Sequence, residues 1–169
     1  MILGLDVSTS VTGVCVMDSS GKILLADHID LKKFDDLYSK ATRAKQYLSF
    51  IQNKYSTEKI IIEKSLQTFR SGFSSAKTLS TLASFNGLIS WFCYDIFGIK
   101  PEHVSASTAR KKMGIKSKKG ENAKKIVFEE IAINRELINP EYTKFGNPKS
   151  YFYDICDAIV IANYGVQNE

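Results

Sequence analysis

The first strand of the fold is set by the run Met1-Ile2-Leu3-Gly4-Leu5-Asp6-Val7, which is apolar apart from one glycine and one acid. A nearly continuous apolar run is typical of a strand that is buried on both faces of a sheet. A second run, rich in β-branched residues, spans Val11 to Met17, and we expect a third strand from Lys22 to Leu31. Because the turns between the runs are short and polar, we expect the three segments to form an antiparallel meander.

The remainder of the chain alternates helices and strands. Apolar residues recur at helical spacing over residues 35–54, which predicts an amphipathic helix. The tight run Ile60-Ile61-Ile62 predicts a buried strand that ends at Glu63. The later predicted elements are a long helix capped by Ser74, a short strand at 101–105, a helical turn at 107–113, and helices at 121–133 and 151–164. The order βββαβαβαα, without a linker or repeat, predicts one mixed α/β domain over residues 1–169.

The composition excludes several classes of protein. The 169 residues carry a net charge of +5, which is only a mild indication of a polyanionic partner. The sequence has no apolar run long enough for a transmembrane helix and no basic segment of a signal peptide, so we expect a cytoplasmic or nucleoid protein with no membrane partner. Only two histidines and three widely spaced cysteines are present, which argues against a zinc site or a histidine-dependent nucleophile. Carboxylates are therefore the expected catalytic groups.

Four acids stand at positions where a charge is costly unless it is paired. Asp6 and Glu63 each end an apolar strand, and Asp154 and Asp157 lie three residues apart at the start of the last helix. Acids in a first helical turn also simply complement the helix dipole, which is the alternative interpretation of the helix pair. If the four carboxylates converge, their hard oxygens suit two Mg²⁺ ions, or Mn²⁺ in their place, and such a pair can cleave a phosphodiester bond.

A basic segment covers residues 107–128 and has a net charge of +7, with Glu121 as its one acid. A lysine-rich run is usually a solvated helix face, and that interpretation remains open. However, the segment lies between the last strand and the acid-bearing helix, so we expect it to border the acids and to hold DNA phosphates. The basic residues of the segment are Arg110, Lys111, Lys112, Lys116, Lys118, Lys119, Lys124 and Lys125.

Nearly the whole chain resembles the RuvC-type Holliday junction resolvases, which have the RNase H-like fold. The resemblance lies in Ile2–Asp6 with Val11–Val14, in Ile60–Glu63, in Ser75-Ala76 opening a helix, and in Asp154–Ala158. It implies a five-stranded mixed sheet flanked by helices, and it implies that Asp6, Glu63, Asp154 and Asp157 are the metal-binding acids. The implied activity is that of a homodimer that resolves four-way DNA junctions in recombination and repair by paired, symmetric nicks. The sequence identifies no helicase partner.

The resemblance also implies particular contacts with DNA. Lys111 and either Lys118 or Lys119 are candidates for the lysine that approaches the scissile phosphate. Phe69 and Phe73, with Arg70 between them, are both candidates for an aromatic that stacks on junction bases, and each is equally well explained as a core anchor. The sequence Asp6-Val7-Ser8 departs from the family's usual Asp-Pro-Gly, and the loop after Glu63 is longer. These departures indicate a divergent member of phage, viral or organellar origin.

Two other functions remain open from the sequence. A non-catalytic protein that binds branched DNA could keep the same scaffold, although retention of all four acids argues against it. The segment from Gly4 to Thr9 also resembles the first phosphate loop of sugar kinases and actin-like ATPases. Those enzymes need a duplicated domain and a second loop containing Asp-x-Gly, and neither is present in these 169 residues.

Overall fold

The protein contains a five-stranded mixed sheet with the strand order β3-β2-β1-β4-β5. We describe it from a computed structural model, which covers residues 1–65, 75–118 and 120–167. β1 pairs antiparallel with β2, and β2 pairs antiparallel with β3, whereas β4 and β5 run parallel to β1. The strands are β1 Ile2–Asp6, β2 Val11–Met17, β3 Ile23–Asp30, β4 Lys59–Glu63 and β5 Glu102–Val104.

Helices cover both faces of this sheet. One core joins α1 and α2 to residues such as Leu3, Leu5 and Ile60, and the other joins α5 and its neighbours to Ile2 and Ile61. Every residue of β1 and β2 is buried, which explains why apolar residues predominate in both strands. The helices are α1 Leu37–Lys54, α2 Ala76–Phe97, α3 Ala106–Lys112, α4 Ala123–Phe128 and α5 Tyr151–Val166, and a π-helical segment, Glu129–Asn134, continues α4.

The predicted fold class and the antiparallel meander are confirmed, and two details of the prediction are wrong. The cap of α2 is Ser75 rather than Ser74, because the Ser75 hydroxyl accepts a hydrogen bond from the backbone nitrogen of Thr78 at 3.1 Å. The order βββαβαβαα is also one helix short within residues 106–167. The expected helical turn forms a separate helix, α3, because the Ser105 hydroxyl caps it by accepting from Thr108 nitrogen at 3.1 Å.

The backbone of α5 lies directly on the two central strands. A Cβ added to Gly4 of β1 would lie 2.5 Å from the backbone nitrogen of Ala162, and one added to Gly13 of β2 would overlap the carbonyl of Asp154. Glycine at these two positions therefore permits the close approach of helix and sheet. These contacts hold the first turn of α5 against β2 and a later turn, at Ala162, against β1.

Cys15, Cys93 and Cys156 are buried free thiols, which is usual for cysteines that pack as small apolar side chains. Within residues 1–65, 75–118 and 120–167, no helix has both the length and the apolar character to cross a membrane.

Candidate active site

The four predicted acids converge at one edge of the sheet. Asp6 and Glu63 end β1 and β4, which are parallel neighbours with Leu5 opposite Ile62, so both carboxylates emerge at the same edge. Asp6 also pairs with Gly13, the residue on which the carbonyl of Asp154 rests. The strand pairing and the helix–sheet contact together bring two acids from strands and two from α5 into one cluster. We call Asp6, Glu63, Asp154 and Asp157 the acid cluster.

The acid cluster is electrostatically strained by its own negative charge. Burial, followed by the charges of Glu63 and Asp157, raises the pKa of Asp6 well above its usual range. Burial and the charge of Asp157 likewise raise the pKa of Glu63, although a hydrogen bond with Asp6 opposes the shift. Desolvated carboxylates that repel one another are stabilised either by taking up a proton or by a cation placed among them.

Two basic side chains supply positive charge inside the acid cluster. The Nζ of Lys124 lies 2.6 Å from Asp154 Oδ1, 3.6 Å from Asp157 Oδ2 and 4.0 Å from Asp6 Oδ2. Burial lowers the pKa of the Lys124 ammonium, but the charge of Asp6 and the hydrogen bond to Asp154 outweigh it and raise the pKa overall. On the other side, Arg110 Nη2 donates to Asp157 Oδ1 at 3.0 Å. Asp157 therefore contacts one cation with each of its oxygens.

The chemistry of the acid cluster fits a hard divalent cation. Its donors are carboxylate oxygens, the ligands that Mg²⁺ and Mn²⁺ prefer. Among the residues that the structure describes, no three acidic, histidine or cysteine side chains stand in the arrangement of a formed metal site. In this structure the Lys124 ammonium lies between three of the four acids. Asp6, Glu63, Asp154 and Asp157 are the residues whose carboxylates could hold a metal ion here.

A buried amide supports the strand that carries Glu63. The side chain of Asn86 on α2 is buried, and its Nδ2 donates to the carbonyl oxygen of Glu63 at 2.9 Å. The backbone nitrogen of Lys64 donates to the carbonyl of Val104 at 2.8 Å, so β5 also holds this strand end. Sequence reasoning missed Asn86, since an isolated asparagine in a helical stretch gives no sign that it reaches a strand.

The basic segment borders the acid cluster, but its members differ in orientation. The guanidinium of Arg110 contacts Asp157, and the ammonium of Lys124 contacts three acids although half of its side chain is exposed, whereas the other described basic residues of the segment are exposed and have no ion pair with the acid cluster. A cavity of about 470 Å³ lies beside Arg110 and is lined by Ser107, Arg110, Lys111, Gly114, Ile115, Lys116 and Ser117. The exposed residues are Lys111, Lys112, Lys116, Lys118 and Lys125. Their DNA contacts remain predictions.

Four of the predicted DNA-contacting residues lie outside the residues that the structure describes. Phe69, Arg70 and Phe73 fall within 66–74, and Lys119 is the single such position between α3 and α4. The choice between the two phenylalanines as stacking residue or core anchor therefore remains open.

Comparison with known proteins identifies the fold of this chain. No protein-family model matches the chain, and a search of curated proteins finds no match. The structure of Thermus thermophilus RuvC in complex with a Holliday junction substrate has a TM-score of 0.65 and 12% identity, over 95% of this chain and 88% of that one. The chain has the RuvC fold. This confirms the predicted RNase H-like sheet and the resemblance to RuvC at the level of the fold.

Two further structures share the RuvC fold. A second structure of Thermus thermophilus RuvC has a TM-score of 0.61 and 16% identity, over 95% of this chain and 90% of that one. The yeast mitochondrial Holliday junction resolvase Ydc2 has a TM-score of 0.61 and 15% identity, over 98% of this chain and 77% of that one. Three structures named as RuvC or as a Holliday junction resolvase thus share the RuvC fold with this chain over nearly its whole length.

Proposed function

We propose that this protein is a metal-dependent DNA endonuclease that resolves four-way junctions by paired, symmetric nicks in recombination and repair. The observation that carries the proposal is the acid cluster: four carboxylates from β1, β4 and α5 meet at one edge of a RuvC fold. The basic segment lies directly beside this cluster. Phosphodiester cleavage requires acids that bind cations and lysines that bind phosphates.

In the proposed mechanism the acid cluster would hold two Mg²⁺ ions, or Mn²⁺ in their place, and these would supply activation of a water and stabilisation of the leaving oxygen. Asp6, Glu63, Asp154 and Asp157 are the proposed ligands, and Arg110 orients Asp157 by holding its Oδ1. The exposed lysines of the basic segment bind the DNA backbone and keep the scissile phosphate over the acids.

The acid cluster also favours a nuclease over the two other functions. A protein that only bound DNA would gain nothing from four carboxylates, because they repel the phosphates and destabilise one another. The ATPase alternative does not account for the three further acids whose charges act on Asp6.

The decisive experiment is cleavage of a synthetic four-way junction with and without Mg²⁺. We expect Mg²⁺-dependent nicks at symmetric positions in opposed strands, mapped on a denaturing gel. A linear duplex of the same sequence serves as the control substrate. Junction binding without nicking, at any Mg²⁺ or Mn²⁺ concentration, would favour the non-catalytic alternative.

The basic segment gives a separate prediction about binding. The double substitution Lys118→Gln and Lys119→Gln is expected to weaken binding to every branched DNA and to lower the salt slope by about one unit for each phosphate that the protein no longer binds. The matched control neutralises Lys22 and Lys100, which are exposed at the opposite edge of the sheet. Fluorescence anisotropy over a range of salt concentrations measures the slope. An unchanged slope would mean that Lys118 and Lys119 are only solvated.

We also propose that the protein is a homodimer, as paired nicking requires. On the outer face of α2, Trp91 and Tyr94 are 60% and 52% exposed, and their ring centroids lie 6.0 Å apart. Exposed aromatic pairs of this kind are characteristic of interfaces. Sedimentation velocity at micromolar concentration is expected to show a dimer, and Trp91→Asp is expected to shift it to a monomer. A wild-type monomer would contradict the proposal.

A further inference from the structure

Lys124 differs from the other lysines of the basic segment in what its ammonium contacts. Its Nζ lies within 4.0 Å of three carboxylates that belong to two different elements, Asp6 on β1 and the pair Asp154 and Asp157 on α5. A lysine that served only to hold DNA would be expected to stay clear of the acid cluster, as Lys125 does: its Nζ lies 3.8 Å from Glu129 Oε1, and 66% of its side chain is exposed. Lys124 instead serves the acid cluster itself.

The contact of Lys124 is not an ordinary surface ion pair. Asp6 and Asp157 are buried. An ion pair between exposed side chains adds little to the stability of a protein. A buried carboxylate, in contrast, destabilises the folded state strongly when its charged partner is removed. Lys124 is placed by the start of α4, where the Asn122 side chain caps the helix by accepting from Lys125 nitrogen at 3.2 Å. The helix cap fixes the Cα of Lys124 near the acids.

The side chain of Lys124 can nevertheless leave the acid cluster without any movement of the backbone. It is 51% exposed, so the side chain enters the cluster from the solvent side. A lysine has a flexible four-carbon stem and a compact charge that can exchange one anionic partner for another. The Lys124 ammonium therefore occupies a position among the acids that it can also leave.

We propose that the Lys124 ammonium is a built-in cation that occupies the site shared by Asp6, Asp154 and Asp157, and that a divalent cation is held there only when this ammonium is displaced. The inference rests on the proposed function, and it assigns Lys124 a role that DNA binding alone does not give it. In the metal-free protein, Lys124 offsets the repulsion among the acids. Because it is tethered to the site, it competes at a high effective concentration and weakens metal binding. The displaced ammonium remains beside the site, where a DNA phosphate is a suitable new partner.

The test is a titration of the full-length protein with Mn²⁺ by isothermal calorimetry. Lys124→Met removes the charge and keeps most of the stem, so it is expected to bind Mn²⁺ about tenfold more tightly than the wild type, a change of about 1.4 kcal/mol. Lys124→Gln is a second neutral variant and is expected to show the same direction. The matched control is Lys45→Met, because Lys45 is 48% exposed and pairs with Asp95 at 3.2 Å on the other face of the sheet.

Thermal unfolding gives a second readout that does not depend on cleavage. Lys124→Met is expected to melt at a lower temperature than the wild type without metal and to gain more from added Mn²⁺, since bound ligand stabilises the folded state more when its affinity is higher. Unchanged or weaker Mn²⁺ binding by both neutral variants, with a wild type that binds Mn²⁺, would overturn this inference and leave the proposed nuclease intact. Absence of Mn²⁺ binding in every variant would overturn both.

Discussion

Asp6→Asn is expected to lower Mg²⁺-dependent nicking of a four-way junction by about three orders of magnitude while leaving junction binding largely intact. Asp6 lies at the centre of the acid cluster, between Glu63 on the next strand and the acids of α5. An amide is a neutral and weaker ligand, and loss of several kcal/mol of charge stabilisation corresponds to a factor of about 10³ in rate. Asp154→Asn is expected to have a similar effect.

The same substitution is expected to stabilise the metal-free protein. Because burial and the charges of Glu63 and Asp157 raise the pKa of Asp6 in the folded state, folding favours the protonated acid. The folded protein therefore loses stability as the pH rises from the unfolded pKa of Asp6 to its folded pKa, and the full cost remains above that interval. Asparagine is uncharged and carries no such cost. We therefore expect the melting temperature to rise by about 3 °C for each kcal/mol that the substitution adds to the free energy of unfolding.

These two effects separate a catalytic role of Asp6 from a structural one. Single-turnover cleavage and junction binding are measured beside thermal unfolding without metal, with Asp95→Asn on the surface of α2 as the control. Lower activity together with a higher melting temperature supports the assignment. Cleavage at the wild-type rate would refute Asp6 as a metal ligand.

Gly13→Ala is expected to destabilise the protein by about 3 kcal/mol. An alanine Cβ at this position would overlap the backbone carbonyl of Asp154, and a backbone group cannot move aside as a side chain can. The first turn of α5 would have to lift from β2 and would carry Asp154 away from Asp6. We therefore expect both a loss of stability and weaker cleavage.

Urea unfolding measures the effect of Gly13→Ala, with Gly87→Ala as the matched control. Gly87 lies inside α2, and a Cβ there meets no atom within 4 Å. The control is expected to be neutral or to gain up to about 1 kcal/mol, since alanine favours a helix more than glycine does. An equal response at both positions would show that close contact with α5 is not the cause.

The sequence predicted the central elements of the fold best. β2 was predicted with its observed bounds, since the strand is a run rich in β-branched residues between two polar turns. The proximity of Asp6 and Glu63 was also predictable, because acids at the ends of neighbouring parallel strands emerge at one edge, whereas the approach of Asp154 and Asp157 depends on how α5 packs on β2. Helix ends were less accurate: Ser74 and Ser75 are adjacent serines, and only the geometry shows that Ser75 is the cap.

The cations inside the acid cluster could not be predicted. Arg110 and Lys124 are two members of one basic segment, and nothing in the order of residues separates them from Lys111 or Lys125. Their contacts depend on how α3 and α4 pack against α5, which is a property of the tertiary structure. Asn86 was missed for the same reason.

The placement of α5 on Gly4 and Gly13 has a consequence for how this protein can diverge. The backbone of α5 contacts the backbone of the strands at these two points, so this contact sets the distance between the acids on α5 and those on the strands. Apolar side chains elsewhere in the core can then change extensively without moving the acids, provided that volume and pattern are kept. Other proteins share this fold at 12–16% identity. Such divergence is expected when backbone contacts, rather than core side chains, set the distances between the acids.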